Sequence, residues 1–515
     1  MSRSEKSIKN LLTAVIGQAF GLLISFVSRI VFIRLLGTEY LGLNSLFSNI
    51  LTVLSLAELG IGEAITFSLY KPLSKNDIKK CKMLMQFYKK VYTYIGIIIL
   101  ILGTLVCPFL TVFIKDLPNI PNLNVIYIMF VVNTSVSYFF SYKRNLIIAD
   151  QNRYIATIYR YVFYFLLNVV QIIYLLLTRN YLGFLIINIV MTIIENFLVS
   201  KKADKMYPYL LDKDKIDLDK ETKFEILKNT KAMMMHKVGS VVITSTDNIL
   251  ISSFVGLNAV GLYSNYYMII NALNTIFGQL FNSITASVGN LCAIESKEKQ
   301  YSVFRKMFFL NFWIYGFSTV CLTCLFNDFI TIWVGKSYVF SWNIVLIIIV
   351  NYYITGMRKA VLTFREASGL FYKDRWKAIV EAIVNLVTSI VLALKLGIFG
   401  VFLGTFISSV SVCVWVEPYV LYKYGFDKNL FDYFKTYLKY LISTIFVCFF
   451  CYFGCTFILF NSSLITFIIK TLFCVILSNL LFYIIYRHTD EFNYFYSNYF
   501  RKMMIKIKKH LISSK

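Results

Sequence analysis

The sequence predicts an all-α, polytopic membrane protein with 14 transmembrane helices, arranged as two parallel six-helix lobes around a central cavity plus two C-terminal helices. Three observations predict it. The 515 residues are 58% hydrophobic and only 15% charged, with a mean hydropathy of +0.67, whereas soluble chains carry about 25% charge. Apolar runs of about 18–25 residues alternate with short polar connectors, the length a helix needs to cross ~30 Å of hydrocarbon. The cationic residues fall almost entirely in alternate connectors, as the positive-inside rule requires.

The spans are read at roughly 11–36, 41–69, 91–114, 123–145, 157–178, 181–200, 234–255, 259–290, 307–327, 341–358, 377–394, 398–422, 440–460 and 463–486. With both termini cytoplasmic, the inner segments hold 45 Lys and Arg, and the outer connectors hold four: Lys115, Arg179, Lys336 and Lys395. The remaining three, Arg29, Arg34 and Lys470, lie within spans. An odd number of spans would mix the two classes of connector. The net charge of +25 is therefore mostly a topology signal, with attraction to an anionic inner leaflet, and no nucleic-acid partner is expected. The first apolar segment is long, carries arginines and lacks a small-residue cleavage site, so it is expected to stay in the mature protein.

Composition divides the chain into an N-terminal six-helix lobe (1–200), a charged cytoplasmic connector (201–232), a C-terminal six-helix lobe (233–425), two additional spans (426–486) and a basic tail (487–515). The tail, with Arg501-Lys502 and Lys508-Lys509, reads as an interfacial amphipathic helix. The two lobes share landmarks. Gly37-x4-Gly42-Leu43 after the first span recurs as Gly256-x4-Gly261-Leu262 after the seventh, at an offset of 219. Asn168 and Gly183 match Asn385 and Gly400 at an offset of 217, and a basic-aromatic pair precedes the fifth and eleventh spans, Arg153-Tyr154 and Arg375-Trp376. Six spans is an even number, so both repeats insert with one orientation and are related by an axis along the membrane normal. The glycines suit outer connectors of four or five residues, which need positive φ and close helix approach.

Ionisable groups inside spans are functional candidates by default. Arg29 lies eight residues before Gly37, ~12 Å below the outer end at 1.5 Å per residue. Under the 219 offset it superposes on Asn248, and Ser28 superposes on Asp247. Both repeats thus place polar groups near the midplane, and Arg29, Arg34, Asp247 and Asn248 form the candidate substrate-binding set. Two roles stay open for Arg29: contact with a substrate, or a structural ion pair with Asp247. Arg34 is nearer the rim, where it either anchors or lines the cavity. Glu58 and Glu63, in LSLAELGIGEAITF, flank Gly60-Ile61-Gly62 and are candidates for gating or ion coupling, as are His236 and Lys237 at the inner mouth of the seventh span. Each of these four also fits the plainer role of an interfacial charge. Glu381 and Lys470 are further in-span charges to which the sequence assigns no partner.

Other chemistries are disfavoured. Cys321-x2-Cys324 and Cys448-x2-Cys451 lie deep in apolar spans, where thiols read as packing residues rather than metal ligands. The histidines 236, 488 and 510 are too scattered for a metal site, and no phosphate-binding loop with its lysine is present. No large outer loop or soluble domain is apparent to house an enzyme, so the chain is not read as one.

Four segments together resemble the polysaccharide flippase family, the O-antigen and capsule repeat-unit translocases of the multidrug/oligosaccharidyl-lipid/polysaccharide exporter superfamily. They are RLLGTEYLGL, LSLAELGIGEAITFSLYKPLSKND, SYKRNLIIADQNRY and HKVGSVVITSTDNILISSFVGLNAVGLYSNY. The resemblance covers essentially the whole chain. It implies flipping of an undecaprenyl-pyrophosphate-linked oligosaccharide from the inner to the outer leaflet of a bacterial plasma membrane, without a bound cofactor. It further implies a cationic central cavity, membrane lipids as neighbours and a polysaccharide polymerase as downstream partner. In that light Arg29 is the first choice for a phosphate contact, because a guanidinium binds phosphate oxygens bidentately. A proton gradient, a sodium gradient or the membrane potential is the expected drive. Competing readings are a lipid II flippase, a multidrug antiporter of the same superfamily, whose cavity should be rich in carboxylates, and a membrane glycosyltransferase or polymerase.

Overall fold

A computed structural model describes residues 3–58, 60–115, 120–212, 218–370 and 373–500, with the side chains of 231–240, 242–244 and a few others outside the description. The basic tail from Arg501 onward also lies outside the described residues. Among the described residues every regular element is helical, and ten helical stretches are long and apolar enough to cross a membrane.

The first span is α1 (Arg3–Leu36). The second is not one continuous helix: α2 (Thr38–Leu54) ends in a 3-10 turn (Ser55–Glu58), and α3 (Ile61–Ser74) restarts after Gly60. Gly60 takes φ 79°, a left-handed conformation that breaks the ladder of helical hydrogen bonds and that glycine adopts without steric cost. The third span, α4 (Ile78–Val106), begins well before the apolar run, because the Asp77 side chain caps it by accepting from Lys80 N at 2.9 Å. A 3-10 turn over Cys107–Phe109 and the short α5 (Leu110–Phe113) finish it. Then follow α6 (Leu123–Ala149), α7 (Arg153–Thr178), α8 (Tyr181–Met206), α9 (Lys220–Phe254) and α10 (Leu257–Ile294). The later elements are α11 (Lys297–Trp333), α12 (Trp342–Met357), α13 (Lys359–Ala367), α14 (Lys377–Ser408) and α15 (Val414–Val420), the last between two π-helical turns. The chain continues through α16 (Leu430–Thr456), α17 (Ser463–Tyr486) and α18 (Asp490–Phe495).

The eleventh span read from the sequence and the start of the twelfth both fall on α14, which is bent back on itself at Gly397 (φ 58°, ψ −135°). Ser389 Oγ donates to Val401 O at 3.1 Å, and Asn385 Nδ2 donates to Thr405 Oγ1 at 3.0 Å, so the two arms run antiparallel. A Cβ added at Gly400 would overlap the backbone of Leu392. The fifth and sixth spans make the matching hairpin. Arg179 turns it at φ 51°, Gln171 Nε2 donates to Phe184 O at 3.0 Å, and Gly183 lies under the Tyr174 ring. Phe184 and Val401, whose carbonyls accept these two bonds, are 217 residues apart.

The chain divides into two compact units, Met1–Ser264 and Asn265–Lys515. Within the first, α6 packs against α4 and α8, α1 packs against α7, and α9 lies on α2 and α3. Its core includes Leu84, Tyr88, Leu146 and Ile147, all fully buried. α9 and the start of α10, which the sequence reading places in the second repeat, therefore pack within the first unit. Gly42 and Gly261 make this possible. A Cβ on Gly42 would overlap the carbonyl oxygen of Leu257, and one on Gly261 would overlap that of Thr38. Each glycine thus meets the first residue of the other's helix, and Gly37 (φ 88°) and Gly256 (φ 122°) make the turns that precede them. In the second unit α11 is the spine, packed against α12, α16 and α17. Phe312 stacks on Tyr440 with ring centroids 4.3 Å apart, beside Tyr486 and Phe482.

Each unit also holds an arginine–glutamate pair, partly buried in the first and buried in the second. Arg144 near the C-terminal end of α6 bonds Glu195 of α8 at 2.5 Å. Arg358, between α12 and α13, grips Glu417 of α15 bidentately, with Nε to Oε2 at 2.9 Å and Nη2 to Oε1 at 2.7 Å. Lys377 also donates to Glu417, and Glu381 lies 3.6 Å from Arg358, which supplies the partner that the sequence left unassigned. Lys470 likewise finds Asp328 of α11 at 2.8 Å.

Gly42→Val and Gly261→Val force backbone to separate, and each is expected to lower the thermal midpoint of the detergent-solubilised protein, by ~1–3 kcal/mol of overpacking or more. Gly278→Ala, where a Cβ meets nothing within 4 Å, should leave it unchanged. Glu417→Gln leaves Arg358 and Lys377 buried without a carboxylate and should cost ~3–5 kcal/mol in the same melt. Glu195→Gln, in a pair whose side chains are 23% and 19% exposed, should cost less.

Candidate functional site

The three-residue step from Gly261 to Ser264 is one helical turn, and it decides what meets Arg29. Ser264 is buried, and its hydroxyl bonds back to Gly261 O at 2.7 Å while accepting from Arg29 Nη1 at 2.9 Å. That is the one side-chain hydrogen bond of Arg29 among the described residues, and no carboxylate there lies within ion-pair distance of it. A guanidinium carries five N–H donors, so most of them stay available. The alternative of an Arg29–Asp247 ion pair is not the arrangement adopted. Asp247 is half-buried and has other interactions. Asn248 is buried one turn from Ser252 on α9, and Asn248 Oδ1 and Ser252 Oγ have no hydrogen-bond partner among the described residues. Arg34 is exposed in the last turn of α1, where a cation complements the helix dipole.

Glu58 and Glu63 come together across the break between α2 and α3. They line one cavity of about 490 Å³ with Ser55, Thr66, Tyr70, Tyr92 and Asn145. Glu58 is held by two hydroxyls: Tyr92 donates to Oε1 and Tyr138 to Oε2, the latter at 3.0 Å. Tyr88 donates to Gly62 O at 3.2 Å and receives a bond from Asn145. Gly62 is required, since a Cβ there would strike the Tyr92 hydroxyl. Glu63 is exposed at the rim. The side chains of His236 and Lys237 lie outside the described residues.

Sequence reasoning missed Ser264, Tyr92 and Tyr138. Tyr88 and Tyr92 stand one turn apart on α4, and that spacing was a usable signal; nothing local marks Tyr138. Away from this region, the thiols of Cys324, Cys455 and Cys474 lie within 4.8 Å of one another in the second unit, a donor set suited to a soft cation. The first two come from α11 and α16, and the third from α17.

No curated protein matches the chain. Among solved structures, the fold is similar to that of the lipid II flippase MurJ in an inward closed conformation, with a TM-score of 0.67 and 15% identity over 93% of this chain and 99% of that one. An inward-facing multidrug resistance MATE family transporter of the MOP superfamily aligns with a TM-score of 0.62 and 12% identity, covering 78% of this chain and 94% of the other. A Vibrio cholerae MATE transporter gives 0.55 and 14%, over 84% and 99%. These likenesses establish a flippase and transporter fold. The sequence profile of the family described as "Polysaccharide biosynthesis protein" matches residues 7–288, which include the glycine crossing, Arg29, Glu58 and Asn248. More than half of the length is matched, and the chain belongs to the polysaccharide biosynthesis protein family.

Proposed function

We propose that this protein flips an undecaprenyl-pyrophosphate-linked oligosaccharide repeat unit from the inner to the outer leaflet of the bacterial plasma membrane, by alternating access, for a surface polysaccharide such as a capsule or O-antigen-like polymer. The observation that carries the reading is Arg29: a cation within the first long apolar helix, held among the described residues by one neutral hydroxyl and by no carboxylate. Such a charge is costly in a bilayer, by at least ~2.5–3.5 kcal/mol on insertion scales. A pyrophosphate offsets that cost through charge-assisted, bidentate bonds. Asn248 and Ser252 offer hydrogen bonds to sugar hydroxyls, and Arg34 and Asp247 complete the substrate-binding set. A cationic drug would meet repulsion from Arg29.

We assign coupling to Glu58, with Glu63, His236 and Lys237 as gating groups. Glu58 accepts from tyrosines on α4 and α6 while standing at the break before α3, so adding a proton or binding sodium there removes an acceptor and releases one hydroxyl. The polymer-building enzymes act outside the chain, on the delivered repeat unit.

Arg29→Ala is expected to insert normally yet abolish polymer export, with lipid-linked repeat units accumulating at the inner face, while Arg29→Lys retains part of it. Wild-type polymer in the alanine variant sinks the pyrophosphate assignment. The accumulated lipid also separates readings: a peptidoglycan precursor instead of a repeat unit makes the protein a lipid II flippase. Glu58→Gln should reduce flipping driven by an imposed proton or sodium gradient in proteoliposomes, leaving gradient-free exchange at the wild-type rate. An unchanged response to both gradients removes Glu58 from coupling.

A further inference from the structure

A second cavity of the first unit, about 1070 Å³, is lined by five lysines and one aspartate with an apolar wall that includes Phe87, Tyr94 and Tyr142. Two of the lysines are engaged: Lys82 with Asp212 at 3.3 Å and Lys143 with Asp204 at 2.7 Å. Lys89, Lys90 and Lys223 have no ion-pair partner among the described residues. Lys89 and Lys90 immediately precede the apolar run of α4, which places them at the inner membrane boundary. Above Lys90 the same face of α4 carries Tyr94, Ile97, Ile101 and Leu105, all exposed, at helical spacings of four, three, four and four. This stripe rises fifteen residues, or about 22 Å, which exceeds half of a ~30 Å hydrocarbon core.

We propose that this cavity is a binding site for the headgroup of an anionic phospholipid of the inner leaflet, with one acyl chain lying along the α4 stripe. The phosphate sits between Lys89, Lys90 and Lys223, while the one carboxylate of the lining, Asp212, is engaged by Lys82. The aromatic wall receives the glycerol region, and Tyr94 marks the boundary between headgroup and chain, as interfacial tyrosines do. The apolar stripe selects a lipid over a free phosphate, because only a lipid covers both surfaces. The pocket is separate from the Arg29 and Glu58 sites, so its occupant stabilises the protein without being the cargo.

The test uses full-length protein in neutral detergent and native mass spectrometry with added phosphatidylglycerol or phosphatidylcholine. Wild type should retain phosphatidylglycerol preferentially. Lys89→Ala/Lys90→Ala/Lys223→Ala should bind it about 100-fold more weakly, at ~1 kcal/mol per lysine, and the corresponding triple Arg variant should restore it. Equal retention of the two lipids, or an alanine variant that binds like wild type, overturns the proposal. Displacement of the lipid by millimolar inorganic phosphate assigns the site to free anions and overturns it also. Tyr94→Ser with Ile97→Ser weakens lipid binding if the stripe holds the chain; no change there rejects that part.

Discussion

The approach of two backbones at Gly42 and Gly261 is the constraint on which the first unit depends. Helices normally pack with axes 8–10 Å apart, set by the side chains between them, and small residues let them come closer. Here each glycine meets the carbonyl of the residue that opens the opposite helix, so the two outer turns lock reciprocally. Register follows from this contact. With Gly261 fixed against Thr38, Ser264 comes one turn below, and Arg29, eight residues before Gly37, is brought to hydrogen-bond distance. A bulkier residue at either position would separate the helices and remove the hydroxyl from the guanidinium.

Charge is handled differently in different parts of the molecule. Arg358 meets Glu417 and Glu381, Lys470 meets Asp328, and Arg144 meets Glu195. These are compensated groups, whose net contribution to stability is small although breaking one is costly. They hold helix ends in place. Arg29 differs from these, its partner among the described residues being a neutral hydroxyl, and Glu58 is the mirror case, a carboxylate held by neutral tyrosines. Polar groups that the fold satisfies incompletely are where a transporter does its chemistry, because a ligand or ion supplies what the protein withholds.

The helical class was legible because it rests on composition and hydropathy, which are local properties. Gly37, Gly42, Gly256 and Gly261 were legible for the same reason: a tight turn and a close approach both demand glycine. The break at Gly60 was visible only as a weakness, since Gly60-Ile61-Gly62 is compatible with a bent helix as well as an interrupted one. Ion-pair partners were not legible. Glu417 is 59 residues from Arg358, and Asp328 is 142 from Lys470; pairing at such separations is decided by which helices pack together. The tyrosines around Glu58 were hidden among the 37 of the chain, most of them suited to interfaces and packing.

The separation of 235 residues between Arg29 and Ser264 has a consequence for biogenesis. At ~5–20 residues per second of synthesis, the first helix waits tens of seconds in the bilayer before its hydroxyl partner leaves the ribosome. During that interval the arginine must reach water or headgroups by extending its side chain. α1 is therefore expected to enter tilted or displaced outward, and to settle only when α9 and α10 arrive. Lys470 faces no such delay: Asp328 is already in place when α17 is made, so that helix docks onto a prepared counter-ion. The later helices thus act as an internal chaperone for the first.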